Sequence, residues 1–213
     1  MNKARSPARL LTAALFVFLS SAGAVPASDL AARFARIEAD PRLYRAAYAA
    51  GEARATLCAV CHGEDGNSRK PEVPNLAGQN PLYLWKQIDN FATGRRRNFV
   101  MQALAKDFTD EDKINLAIYF AANTPRTAPA EPQRAPRGAR LFRQHCAACH
   151  GADARGTRDY ARLAGQRREY LVATLTAFRD GTTRRRSNIM AAQVKGLTND
   201  DIADLAAYLS ALR

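Results

Sequence analysis

Two five-residue segments hold most of the reactive side chains of this chain. Residues 58–62 read CAVCH and residues 146–150 read CAACH. Cys58, Cys61 and His62 therefore repeat as Cys146, Cys149 and His150, 88 residues later. These two units use all four cysteines and two of the three histidines; the third is His145. Two thiols separated by two residues, with an imidazole directly behind, suit a redox dithiol, part of a zinc site, or covalent attachment of a c-type haem. A redox dithiol has no need of the histidine and belongs in a βαβ setting that neither segment has. A zinc site asks for four ligands in tetrahedral array, and adjacent ligands such as Cys149 and His150 chelate one tetrahedral ion awkwardly. Haem attachment uses every element: two thiols add to the two porphyrin vinyl groups, and a helical turn sets the next residue's imidazole under the iron.

Such an iron needs a sixth ligand. The methionines are Met1, Met101 and Met190. Met101 follows His62 by 39 residues and Met190 follows His150 by 40, in the matching contexts GRRRNFVMQAL and TRRRSNIMAAQ. Methionine is often adaptable core filler, but one per repeat at nearly one spacing points to axial ligation by both. His/Met ligation closes the iron and raises its reduction potential, which suits electron transfer better than substrate chemistry.

The elements that position these ligands are also duplicated. NLAGQNPLYLWKQIDNFATG (75–94) matches RLAGQRREYLVATLTAFRDG (162–181), and FTDEDKINLAIYFAA (108–122) matches LTNDDIADLAAYLSA (197–211). The proline-rich stretch between the repeats, with Pro125, Pro129, Pro132 and Pro136, reads as an extended linker. The expected organisation is a signal peptide over 1–27, a first domain over 28–123, a linker over 124–137 and a second domain over 138–213. Each domain is small for a self-sufficient core, and a covalently held haem would add apolar contact area.

Helices are expected throughout, with no convincing strand. DLAARFARIEA is amphipathic and should end at Asp40-Pro41; a second helix should then run from Arg42 into Cys58. Pro81 suits a first helical turn and Gly94 a helix end. Thr109 and Thr198 stand as N-caps of the last helix of each repeat, where Leu116, Tyr119, Leu205 and Tyr208 should pack in the core.

Residues 1–27 have the make-up of a secretory leader: Lys3, Arg5 and Arg9, then the apolar LLTAALFVFL (10–19), then small residues permitting cleavage after Ala24 or Ala27. As an uncleaved anchor the apolar run falls short of the ~20 residues that a spanning helix needs. A periplasmic location after cleavage is expected. The net charge of +12 falls to +9 without the leader's three cations. For an exported protein this favours acidic docking faces on redox partners, or peripheral contact with anionic lipid heads, over nucleic acid.

The combined pattern C-x-x-C-H-G, L-A-G-Q, F-x-x-G and a late methionine resembles the di-haem cytochrome c4 family. That resemblance implies an all-α chain of two tandem class I cytochrome c domains related by a pseudo-twofold axis, with propionate edges near the domain interface. It implies two covalently bound haem c groups, one on Cys58 and Cys61 with His62 and Met101 at the iron, the other on Cys146 and Cys149 with His150 and Met190. It implies an electron carrier between a quinol-oxidising cytochrome bc complex, or a dehydrogenase, and a terminal oxidase. The alternatives are a di-haem subunit of a dehydrogenase, such as flavocytochrome c sulfide dehydrogenase, or a di-haem enzyme; paired methionines speak against the last.

In the family a proline two residues before LAG offers its carbonyl to the proximal histidine. Pro74 fills that place in the first repeat and Ala161 in the second, so His150 should be held less firmly than His62. His145 should face solvent, and the LAGQ turns should serve as backbone around the haem edge. The triplets Arg95–Arg97 and Arg184–Arg186 precede the two methionines; they are expected as a solvated loop, a docking ring at the haem edge, or partners of the propionates.

Overall fold

The computed structural model describes residues 27–185 and 187–213. The proposed leader, apart from its last residue, lies outside the described residues, as does Arg186.

Helix α1 (Ala27–Ala39) buries Leu30, Phe34 and Ile37, spaced four and three residues apart on one stripe. It ends where expected. The carboxylate of Asp40 accepts the amides of Arg42 and Leu43 at 2.8 and 3.3 Å and caps α2 (Pro41–Arg54), with Pro41 in its first turn. The single helix expected from Arg42 to Cys58 is instead two. Ala55, at φ −76° and ψ −5°, ends α2 and starts α3 (Thr56–His62), so the C-x-x-C-H turn can leave the axis of α2.

The first repeat continues with α4 (Pro81–Ala92), α5 (Phe99–Ala105) and α6 (Asp110–Ala122). The second contains α7 (Ala135–His145), α8 (Ala147–His150), α9 (Arg168–Arg179), α10 (Asn188–Val194) and α11 (Asn199–Ala211). Both terminal helices open with a reciprocal capping box, Thr109 with Asp112 and Thr198 with Asp201. The one bridge of β type among the described residues is an isolated antiparallel pair, Arg96 with Arg185.

Within each repeat the helix before the haem motif crosses the terminal helix at a glycine. A Cβ on Gly51 would lie 2.1 Å from the carbonyl oxygen of Asn115, and one on Gly138 would lie 2.1 Å from that of Asp204. Only a residue without a side chain permits these crossings of α2 on α6 and α7 on α11. The buried apolar residues form two clusters, one around Phe34, Ile114, Leu116 and Ile118, the other around Phe142, Ile202, Leu205 and Leu209. Tyr119 belongs to the first and Tyr208 packs against the second, as core residues.

The proline-rich stretch is extended only in its first part. Helix α7 starts at Ala135, inside the expected linker, because Pro136 falls in its first turn, where its missing N–H costs nothing. The extended part is tied to both repeats: Arg126 donates its amide to Asn67 Oδ1 at 2.7 Å and Ala128 to the Ser210 carbonyl at 2.8 Å. No helix among the described residues is long and apolar enough to cross a membrane.

Candidate haem-iron centres

The two C-x-x-C-H segments fold alike. In each, a short helix ends on the histidine, and the imidazole is buried. His62 Nδ1 donates to the carbonyl of Pro74 at 2.9 Å, and His150 Nδ1 donates to that of Ala161 at 2.8 Å. This bond fixes the tautomer and leaves Nε2 as a free lone pair for a metal. Burial lowers the pKa of both imidazoles, which keeps them neutral. The alanine in the second repeat therefore does not cost the hydrogen bond.

None of the four cysteines is in a disulfide, and all are half-buried. Burial raises the Cys58 thiol and pushes that of Cys146 up to about 11, so both stay protonated near neutral pH. Such thiols are poor thiolate nucleophiles for disulfide exchange. Among the described residues no three His, Cys, Asp or Glu side chains converge as a metal-ion cage, as a zinc site would require.

Met101 and Met190 each lie in the first turn of a short helix, α5 and α10. Each has its amide held by a side-chain cap that sequence reasoning did not single out: Asn98 Oδ1 at 3.0 Å and Ser187 Oγ at 3.3 Å. The cap residue stands three positions before each methionine, a spacing legible in RNFVM and RSNIM. Both thioethers are half-buried.

The arginine triplets do not behave as uniform surface clusters. Arg95 pairs with Asp89, and Arg97 and Arg184 are exposed, with the Arg97 amide on the Arg184 carbonyl at 3.0 Å. The middle members turn inward across the contact between the repeats. Arg96 reaches the Tyr170 hydroxyl at 3.2 Å and Gln87 Oε1 at 3.0 Å, while Arg185 bonds Tyr170 and reaches the Tyr83 hydroxyl at 3.5 Å. Tyr83 and Tyr170 are themselves equivalent in the two repeats. Burial would raise the Tyr170 phenol, but the charges of Arg185 and Arg96 outweigh it and bring it down to about 8. Two guanidinium groups thus meet with no carboxylate among their hydrogen-bond partners. Such a pair calls for anions, and haem propionates are carboxylates of the matching kind. The Arg96 charge is also felt at His62, which places it on the side of the first haem motif.

The LAGQ turns do more than follow the cofactor. Gln166 brackets residue 75, accepting the Asn75 amide at 2.7 Å and donating to its carbonyl at 3.0 Å. Gln79 brackets residue 162 in the same way, at 2.6 and 2.9 Å. This reciprocal clamp is the pseudo-twofold axis written in hydrogen bonds. Four neutral bonds of about 0.5–1.5 kcal/mol each make it a substantial tie between the repeats. His145 is half-buried rather than solvent-facing, and its charge helps hold Asp201 below the usual carboxylate range, after Thr198 and Arg137.

A family model described as cytochrome c matches residues 135–213. The chain is 36% identical to cytochrome c4 of Pseudomonas aeruginosa over 176 residues, covering 77% of this chain and 88% of that protein. It is 33% identical over 170 residues to a thiosulfate dehydrogenase electron acceptor of Stutzerimonas stutzeri strain A1501, covering 73% and 79%. The crystal structure of reduced recombinant cytochrome c4 from Pseudomonas stutzeri superposes with a TM-score of 0.71 at 32% identity, covering 78% of this chain and 98% of that one. The all-α fold, the doubled haem motifs and these relatives agree: the chain belongs to the cytochrome c4 family, electron-transfer proteins rather than enzymes, with two covalently bound haem c groups.

Proposed function

We propose that the protein is an exported, periplasmic electron carrier that takes electrons from a quinol-oxidising complex or a dehydrogenase and delivers them to a terminal oxidase. Cys58 and Cys61 anchor one haem and Cys146 and Cys149 the other. His62 with Met101, and His150 with Met190, would hold the two haem irons. The functional halves are residues 28–123 and 138–213, joined by 124–137. Bound haem supplies a one-electron iron couple in each half.

The observation that carries this reading is the doubled proximal arrangement, a buried neutral imidazole whose Nδ1–H is held by a carbonyl in each repeat. The protein's own contribution is orientation and exclusion of water. Pro74 and Ala161 fix the two rings, Asn98 and Ser187 fix the methionine helices, and Arg96 and Arg185 would neutralise haem propionates. Arg97 and Arg184 remain exposed and would steer an acidic partner, an effect screened over about 8 Å at physiological salt. These donors define two routes, and the dehydrogenase is the second. It is favoured by the likeness to a thiosulfate dehydrogenase electron acceptor.

The test is to isolate the protein from the periplasmic fraction, count covalent haem per chain, and follow its reduction. Reduction by quinol with a bc complex, in rates that fall with salt, supports the first route. Reduction only by a dehydrogenase with its substrate supports the second. One haem per chain, or none, contradicts both.

A further inference from the structure

The peptide that holds His150 is secured from the other repeat. Ala161 accepts His150 Nδ1–H through its carbonyl, and the residues on either side of it are gripped by two consecutive residues of the first half. Before it, the Tyr160 carbonyl accepts Asn80 Nδ2 at 2.8 Å, besides the Thr157 amide at 3.2 Å. After it, Arg162 is bracketed by Gln79. The Tyr160 ring also meets the His150 ring edge-on, with centroids 6.1 Å apart.

The first repeat lacks half of this arrangement. Gln166 brackets Asn75, which follows Pro74, as Gln79 brackets Arg162. Arg167, the counterpart of Asn80, goes elsewhere, to the Ser68 carbonyl at 3.3 Å. Pro74 needs no such help, because its ring already fixes φ near −65° and restricts the residue before it. Ala161 has no ring to fix φ, so that peptide is held in place only by its hydrogen bonds.

We propose that Asn80 is a positioning residue for the second haem, doing across the interface what the proline ring does within the first repeat. The proposal rests on His150 being the proximal ligand. The orientation of the second proximal histidine then depends on docking of the first half, whereas that of the first depends less on the second.

The loss of the methionine ligand at alkaline pH reports this, read from the sulfur-to-iron charge-transfer band of the ferric protein. A Met101→Ala background leaves the band to the second haem, and Met190→Ala leaves it to the first. Asn80→Ala removes its bond to the Tyr160 carbonyl and a longer one to the Arg155 carbonyl at 3.2 Å. Loss of the Tyr160 bond should lower the midpoint for the second haem by roughly half to one pH unit and leave the first haem unchanged. Arg167→Ala should not move the first haem. Adding Ala161→Pro to Asn80→Ala should restore the second midpoint; the Ala161 amide donates to nothing that a proline would forfeit. An unchanged second midpoint in Asn80→Ala, an equal shift in both haems, or no rescue by proline would each overturn the proposal. His150→Ala checks the underlying reading separately: if the second haem keeps its low-spin spectrum, the ligand assignment fails whatever Asn80 does.

Discussion

The two repeats carry the same proposed ligands on differently built supports. At the turn after the haem motif, the first repeat has Gly66 at φ 77° and the second has Ala154 at φ 59°. In both, the carbonyl of that residue collects two amides, from Leu76 and Ala77 in one and Leu163 and Ala164 in the other. A left-handed alanine costs about 1–2 kcal/mol, so the second repeat stores strain where the first has none. The neighbours explain how it fits. A Cβ on Gly66 would meet the ring of Phe120 at 2.9 Å, and the position equivalent to Phe120 is Leu209 in the second repeat. The first repeat also keeps a polar cluster that the second lacks: buried Lys113 bonds Asp89 at 2.9 Å and Asp110 at 3.2 Å beneath Trp85, where the second has Ile202 and Val172. What the duplication preserves is the geometry of histidine and carbonyl, and the side chains around it have diverged in compensating sets.

The crossing glycines are where the halves should agree, and the effect of changing them is the largest expected. Gly51→Ala and Gly138→Ala each drive a methyl into backbone at 2.1 Å, which helix separation alone relieves. Each should cost its own half about 3 kcal/mol or more in denaturant unfolding. A loss under 1 kcal/mol in either would show that the crossing tolerates a side chain.

The haem-turn position should separate the halves. Gly66→Ala adds both the left-handed strain and a clash with Phe120 and the Ala77 amide, about 2–3 kcal/mol in all. Ala154→Gly relieves similar strain but gives up a buried methyl, about 0.8 kcal/mol, and frees the unfolded chain by about 0.4–1. It should therefore be neutral to within about 0.5 kcal/mol. The double change Gly66→Ala with Phe120→Leu should be milder than the sum of its parts. Additive losses would rule out the compensation.

The elements that bear the proposed ligands are legible because their signals are local. The C-x-x-C-H units, Pro81 and the caps Thr109 and Thr198 all act within one helical turn, and each sits as expected. The interface was not legible in the same way. Gln79, Gln166, Arg96 and Arg185 act on residues 74 to 102 positions away, and no periodicity marks such pairs. The arginine triplets look uniform as letters, yet their middle members face inward while the flanking ones that are described do not. The break at Ala55 and the start of α7 at Ala135 were hidden for other reasons. Tertiary packing decides where α2 gives way to α3, while Pro136 suits a linker and a first helical turn equally well.

The smallest effect concerns the caps, where the halves should again match. Thr109→Ala and Thr198→Ala should each cost about 1 kcal/mol. The Thr198 bonds lower the pKa of Asp201; at Asp112 burial works the other way, but Thr109 and Arg54 outweigh it. Both carboxyls thus lie below 3.8 in the folded protein. Their contribution is present above that value and is lost as pH falls through the lower folded pKa. Each Thr→Ala variant should accordingly differ less from the parent in acid than at pH 7, by thermal unfolding across a pH series. A constant difference would assign the loss to the pH-independent amide cap of the threonine oxygen rather than to its bonds with the carboxylate.

In the proposed carrier each half closes its own iron with a histidine and a methionine. The sulfur-to-iron charge-transfer band of the ferric protein measures this most directly, compared among the parent, Met101→Ala and Met190→Ala at equal haem concentration. Each single variant should lose about half of the parent band, and the double variant all of it. A variant that keeps the full band would show that its methionine is core filler and that the ligand of that half lies elsewhere.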